Sequence, residues 1–115
     1  RVLFRSGKPS ALRRYTIRRD GFVSLHSGAK ETISTSKRFV FEGTELEANL
    51  STSARGYIRF VLRSDEGERI ESHEIFGDST SKIIDFDGDI SRMSGKPVYM
   101  DIIMSDADLY SIKFN

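Results

Sequence analysis

Hydrophobic and polar positions alternate with period two along most of this chain. In the last twenty residues Val98, Met100, Ile102 and Met104 fall on one side of an extended backbone, while Tyr99, Asp101 and Ile103 fall on the other. Tyr110, Ile112 and Phe114 repeat the pattern after Ser105-Asp-Ala-Asp108, which predicts a β-hairpin that turns at residues 105–108 and buries one face. Upstream, Ile58, Phe60 and Leu62 point inward, with Tyr57, Arg59, Val61 and Arg63 outward. Leu46, Ala48 and Leu50 alternate with Glu45, Glu47 and Asn49, as in a second half-buried strand. Residues 32–41 are rich in β-branched and aromatic types and place Phe39 and Phe41 on one side. Residues 15–18 and 22–25 read as two strands meeting at a tight turn over Asp20-Gly21.

The punctuation between these runs is equally local. Asp65-Glu-Gly67 supplies hairpin chemistry, with Gly67 free to take positive φ. Gly77-Asp-Ser-Thr80 reads as a loop, residues 83–86 as a short strand, and residues 87–95 as a loop. In that last loop Asp89 or Ser91 caps a single helical turn before Gly95. About nine short strands and no amphipathic helix predict an all-β fold, a two-sheet antiparallel β-sandwich that is jelly-roll-like. Its expected core is Phe39, Phe41, Leu46, Leu50, Ile58, Phe60, Leu62, Phe86, Val98, Met100, Ile102, Tyr110, Ile112 and Phe114.

Length and composition narrow the picture further. At 115 residues the chain fills one domain, so any function sits on its surface or in a loop cleft. The absence of cysteine removes disulfide frameworks and thiolate metal sites. No apolar run approaches membrane-spanning length, and a membrane is not an expected partner. The chain does not begin with Met, so the lack of a signal peptide carries little weight. Residues 1–6, Arg-Val-Leu-Phe-Arg-Ser, are what CGTGTGCTCTTCCGATCT encodes, the end of a common sequencing adapter. The expectation is that residues 1–12 are adapter translation plus linker, and that residues 13–115 are a β-sandwich domain from a longer protein, a metagenomic fragment. Without Arg1 and Arg5 the formal net charge falls from +1 to −1, which removes the electrostatic reason to expect nucleic acid.

Catalytic patterns are scarce. Only His26 and His73 are suited to be a base at neutral pH, and neither belongs to a nucleophile motif. Ser34-Thr-Ser-Lys37 matches Ser-x-x-Lys, but in a strand its Ser and Lys point to opposite faces. A glycosidase needs two carboxylates across a cleft, roughly 5 to 9.5 Å apart. The 17 acidic residues read more simply as solvated outward positions. Asp85-Phe-Asp-Gly-Asp89 has the alternating carboxylates of part of a calcium loop, yet the twelfth position, where an EF-hand carries a Glu, is Lys96. No catalytic residue, metal ligand or cofactor is therefore expected in this chain.

A sugar-binding face is the remaining candidate site. Outward Tyr57 and Tyr99 offer aromatic faces for a pyranose ring, and Glu47, Asn49, Arg59 and Asp101 offer polar groups for its hydroxyls, provided their strands are neighbours. The competing reading is a cross-strand ladder in which Glu47, Arg59 and Asp101 pair their charges on a solvated sheet.

Several short stretches carry a resemblance: residues 19–25 (Arg-Asp-Gly-Phe-Val-Ser-Leu), Gly77-Asp-Ser-Thr80, Asp89-Ile-Ser followed by Gly95-Lys-Pro-Val98, and residues 106–114. Together these resemble the C-terminal β-sandwich of bacterial glycoside-hydrolase-like proteins related to glycoside hydrolase family 32, where it follows a propeller carrying the sugar site. Where that family tends to place a Trp, this chain has Phe86. The resemblance implies a non-catalytic module that packs on and stabilises an upstream catalytic domain of the same chain, in an extracellular or periplasmic setting. The alternative it leaves open is a carbohydrate-binding module with glycans as ligands.

Overall fold

The computed structural model describes residues 2–6, 14–17, 22–36 and 38–115, with side chains from residue 25 onward. Nine strands lie among the described residues: β1 (Val2–Ser6), β2 (Arg14–Ile17), β3 (Phe22–Ser27), β4 (Thr32–Ser36), β5 (Phe39–Val40), β6 (Leu46–Ser64), β7 (Arg69–Glu71), β8 (Ser79–Ile83) and β9 (Pro97–Phe114). Every strand pairing is antiparallel, so the all-β expectation holds. The ladder runs β2-β1-β4-β9-β6-β7, with β3 and β5 added along β9 and β8 added along β6.

Two long strands organise everything else. β6 has 19 residues and β9 has 18, and they pair from Leu46↔Phe114 to Ser64↔Val98. At about 3.3 Å per residue, β9 drawn straight would span roughly 57 Å. The longest axis of the molecule is 34 Å, so both strands must bend. The bend lets β9 take three partners in turn along its other edge, β5 at Pro97 and Val98, β4 from Asp101 to Met104, and β3 from Ala107 to Ser111. It also brings the two ends of β9 together. Phe39 pairs with Val98 in the ladder, and its ring centroid lies 6.1 Å from that of Phe114, which itself stacks on Phe41 at 4.3 Å.

The β6–β9 register breaks in two places. Between Thr52↔Ala107 and Tyr57↔Ser105, residues 53–56 of β6 face a single residue of β9, Asp106, whose φ of 47° is left-handed. The backbones touch here: a Cβ on Gly56 would stand 2.2 Å from the Asp106 carbonyl oxygen, so only glycine fits. Asp106 is held from two further sides, its N–H donating to the Gly28 carbonyl at 2.7 Å and its Oδ2 accepting from Ser53 Oγ at 2.5 Å. Between Asn49↔Ser111 and Leu50↔Leu109, Tyr110 is the extra residue.

These breaks correct the expected hairpin. Residues 105–108 are not a turn between two strands, because β9 runs through them, and residues 46–50 and 57–63 likewise belong to one strand. Tyr110, expected in the core, is 45 % exposed because the bulge rotates it away from Leu109 and Ile112. Val61, expected outward, does face outward but is fully buried. Other differences are smaller. Residues 32–41 divide into β4 and β5, and β8 begins at Ser79 within the expected loop. β2 takes β1 as its partner and β3 takes β9, so the hairpin expected over Asp20-Gly21 is not the observed pairing among the described residues. Residues 2–6, within the stretch read as adapter translation, form β1 and pair with both β2 and β4.

Among the described residues the buried apolar side chains form one cluster. It contains Leu46, Ala48, Leu50, Ile58, Phe60 and Leu62 from β6, and Val98, Met100, Ile102, Met104, Ala107, Leu109 and Ile112 from β9. Of the other expected core residues Phe41 is buried, and Phe39, Phe86 and Phe114 pack against the cluster from its margin. Leu25, Ile70, Ile75, Ile84, Ile90 and Met93 complete it. Ile90 and Met93 enter on a single 3₁₀ turn, Ile90–Met93, capped as expected by Asp89, whose side chain accepts from the Ser91 N–H. The β6–β7 turn also follows its sequence, with Gly67 at φ 91° and the Ser64 hydroxyl accepting from the N–H groups of Glu66 and Glu68.

Candidate functional site

Four of the six sugar-face candidates lie on the outward side of the C-terminal half of β6 and the N-terminal half of β9. Register places Val61 opposite both Asp101 and Glu71, with Arg59 and Arg63 two residues away on its own strand. The arginines and carboxylates close over Val61. Arg63 grips Asp101 with two parallel bonds, Nε–Oδ2 at 2.9 Å and Nη2–Oδ1 at 3.1 Å, and the Thr35 hydroxyl donates to the same carboxylate at 2.7 Å. The Arg63 guanidinium also sits 5.5 Å from the centre of the Tyr99 ring. Arg59 donates to Glu71 at 2.7 Å, and Arg69 approaches the other oxygen of Glu71 at 3.3 Å. Val61, flanked by these charged neighbours, is fully buried.

Tyr57 completes this face at its far end. Its hydroxyl donates to Glu31, and that bond, followed by partial burial, pushes the phenol up to about 12. Each polar group the sequence offered for sugar hydroxyls here is thus occupied by a neighbour from another strand. Arg59 and Asp101 do not pair with each other, because Arg59 is opposite Ile103 and its carboxylate partner comes from β7.

Glu47 and Asn49 lie beyond the break at residues 53–56. Glu47 stands opposite Lys113 on one side and Ile83 on the other, and accepts from Asn115 Nδ2 at 3.2 Å. Asn49, opposite Ser111, borders an open groove of about 560 Å³ lined also by Leu50, Ser51, Asp78, Ser79, Thr80 and Tyr110. Alternation over Tyr110-Ser111-Ile112 had hidden this ring. A signal was available in the spacing of Met104, Ala107, Leu109 and Ile112, where two three-residue steps interrupt the period of two.

The remaining chemistry-bearing residues are dispersed. His26 Nδ1 lies 2.6 Å from Asp108 Oδ1 on an exposed surface. His73 approaches Asp87 at 3.7 Å and Asp85 at 3.9 Å. Asp89 points to its cap: its Oδ1 accepts from Ser91 Oγ at 2.6 Å and Ser91 N at 3.0 Å, and these bonds lower its pKa. Among the described residues no group of three or more His, Asp or Glu side chains is placed to hold a metal ion. Ser34 is buried on β4, and Lys37 lies outside the described residues. No protein-family model, curated protein or solved structure matches this chain.

Proposed function

We propose that this chain is a non-catalytic β-sandwich module, jelly-roll-like in its layering, that packs against and stabilises the catalytic domain of a glycoside-hydrolase-like protein. In this reading the two ends of the bent β6–β9 ladder supply the two layers, and the single cluster of apolar side chains lies between them.

The observation that carries the packing role is the margin along β8. Among the described residues β8 pairs only with β6, and four of its five residues are exposed. Ile83 is 44 % exposed, and Phe76, which shares a shallow hollow with Lys82, is 64 % exposed. An unpaired strand edge flanked by large apolar side chains is a surface that proteins ordinarily cover. A neighbouring domain supplies that cover. The alternative, a carbohydrate-binding module acting through Glu47, Asn49, Tyr57, Arg59, Tyr99 and Asp101 together, has less support because Glu47 and Asn49 lie beyond the break at residues 53–56 and Glu31, Glu71, Arg63 and Thr35 already engage the polar groups of Tyr57, Arg59 and Asp101.

The test begins with the upstream reading frame of the parent gene. The parent protein is expressed with and without residues 13–115, and also with the pair Phe76→Ser and Ile83→Ser. Loss of the module should lower the melting temperature of the catalytic domain, and the double variant should reproduce much of that loss while the isolated module melts as before. A truncated parent of unchanged stability and solubility would remove this reading.

A further inference from the structure

From the groove between β8 and the C-terminal half of β9 we infer a binding site for neutral glycans, centred on Tyr110, Asn49 and Asp78. The site takes in Ser79 and Thr80 of β8 but neither Phe76 nor Ile83, the apolar side chains that carry the packing reading, and it lies apart from the arginine-covered face; its test on the isolated chain does not depend on either.

Its construction starts with the bulge. Because Tyr110 is the extra residue between Leu109 and Ser111, its ring leaves the interior and forms one wall of the groove. The floor is Leu50, only 2 % exposed. The facing wall, residues 78–80, is latched to β6 at its start. Thr52 N donates to the Gly77 carbonyl at 3.2 Å, Gly77 N donates back to Thr52 Oγ1 at 2.7 Å, and Gly77 takes a positive φ of 91°. The wall is therefore held in place before any ligand arrives.

The lining has the chemistry of a sugar site. An aromatic face beside an apolar floor suits the C–H face of a pyranose ring. Around it stand an amide from Asn49, a carboxylate from Asp78, and hydroxyls from Ser51, Ser79 and Thr80; the Asn49 amide and the Ser79 and Thr80 hydroxyls can donate to ring hydroxyls, and Asp78 can accept from them. The Ser51 hydroxyl donates to Asp78 Oδ1 at 2.7 Å, which fixes that carboxylate at the groove wall. Among the described residues the only formal charge in the lining is negative. Neutral sugars are favoured over uronates and sulfated glycans for that reason. The groove is open along its length, which suits one or two residues of a chain and implies weak binding.

The experiment is an amide-resolved NMR titration of the full 115-residue chain. The probes are cello-, xylo-, malto- and fructo-oligosaccharides, each at up to about 10 mM to reach weak affinities, with oligogalacturonate as the acidic comparison. At least one neutral series should shift the amides of Asn49, Ser51, Asp78, Ser79, Thr80 and Tyr110 in a saturable way, and oligogalacturonate should shift them less. Tyr110→Ala should weaken binding by about tenfold or more, as for an aromatic anchor. Asp78→Asn should weaken it less, and Tyr99→Ala on the other face should leave it unchanged. Both groove residues are at the surface, so folding is checked by the unaltered shifts of core amides. No saturable shift with any neutral series would overturn the inference. So would binding that survives Tyr110→Ala, or binding that maps to Tyr57 and Tyr99.

Discussion

Replacing Gly56 by alanine tests the bend on which the whole fold depends. The added Cβ would stand 2.2 Å from the Asp106 carbonyl oxygen and 2.7 Å from that of Ser105. A carbon normally approaches a carbonyl oxygen no closer than about 3.3 Å. β6 and β9 would have to separate by about 1 Å at their tightest crossing, and both contacting atoms are backbone, so no side chain can swing aside. Loss of two flanking ladder bonds costs about 2 kcal/mol, and strain in the repacked crossing adds about 1–3 kcal/mol. The sum, about 3–5 kcal/mol, is a large part of the 5–15 kcal/mol typical of a domain. At about 4 °C per kcal/mol the melting temperature should fall by roughly 10–20 °C. Gly28→Ala is the control: nothing lies within 4 Å of its added Cβ, and it should stay within about 0.5 kcal/mol of the parent. Both are read by urea denaturation and thermal melting. A Gly56→Ala protein within 1 kcal/mol of the parent would show that the two strands do not meet as described.

Three further outcomes are expected. Phe60 is fully buried, so Phe60→Ala should cost about 3–5 kcal/mol in urea unfolding, and a cost below 1 kcal/mol would put the side chain outside the core. The Ser34 hydroxyl is buried without a hydrogen-bond partner among the described residues, so Ser34→Ala should be neutral or raise stability by up to about 1 kcal/mol; a clear loss would reveal a partner. Tyr57 should ionise at about 12, seen as a late step in the tyrosinate absorbance that disappears in Tyr57→Phe. Because its folded value is raised, the stability it contributes is complete below about pH 10 and is lost as pH climbs toward its folded value. A variant that loses stability equally at neutral and at high pH would contradict this.

What the sequence revealed divides along the line between local and remote chemistry. The turn at Asp65-Glu-Gly67 and the cap at Asp89 were legible because the groups that make them lie within a few residues of one another. Alternation assigned the faces of Phe60, Leu62, Met100 and Ile102 correctly, since those stretches pair without interruption. Residues 105–108 were misread for a specific reason. Asp106 does take the left-handed conformation that turn chemistry suggests, but whether such a residue makes a turn or a bulge depends on the partner strand. That partner, from Thr52 to Tyr57, is some fifty residues upstream and supplies four residues of slack that no local pattern announces. The arginine face failed in the same way. Tyr57, Arg59, Tyr99 and Asp101 were placed outward correctly, yet their partners Glu31, Glu71, Arg63 and Thr35 are set by the order of strands in the sheet. Val61 shows the difference between direction and exposure: alternation predicts an outward direction, yet the side chain is fully buried among neighbours on β6, β7 and β9 that local pattern does not reveal.

The two breaks along β9 serve different ends, which the inward positions make plain. Met104, Ala107, Leu109 and Ile112 are all buried, so the strand must gain one residue between 104 and 107 and another between 109 and 112. The first addition, Asp106, is bonded to Gly28 and Ser53 and crosses Gly56 at contact distance, so it is part of the bend itself. The second, Tyr110, is different. Leu50↔Leu109 and Asn49↔Ser111 are already consecutive on β6, so the ladder without Tyr110 would alternate regularly and bury the same apolar side chains. The core therefore does not require this residue. What Tyr110 adds is local twist and an aromatic ring turned to solvent beside Asn49 and Asp78. A large exposed ring is an unfavourable addition for packing alone, and the groove it borders is where its presence has a physical use.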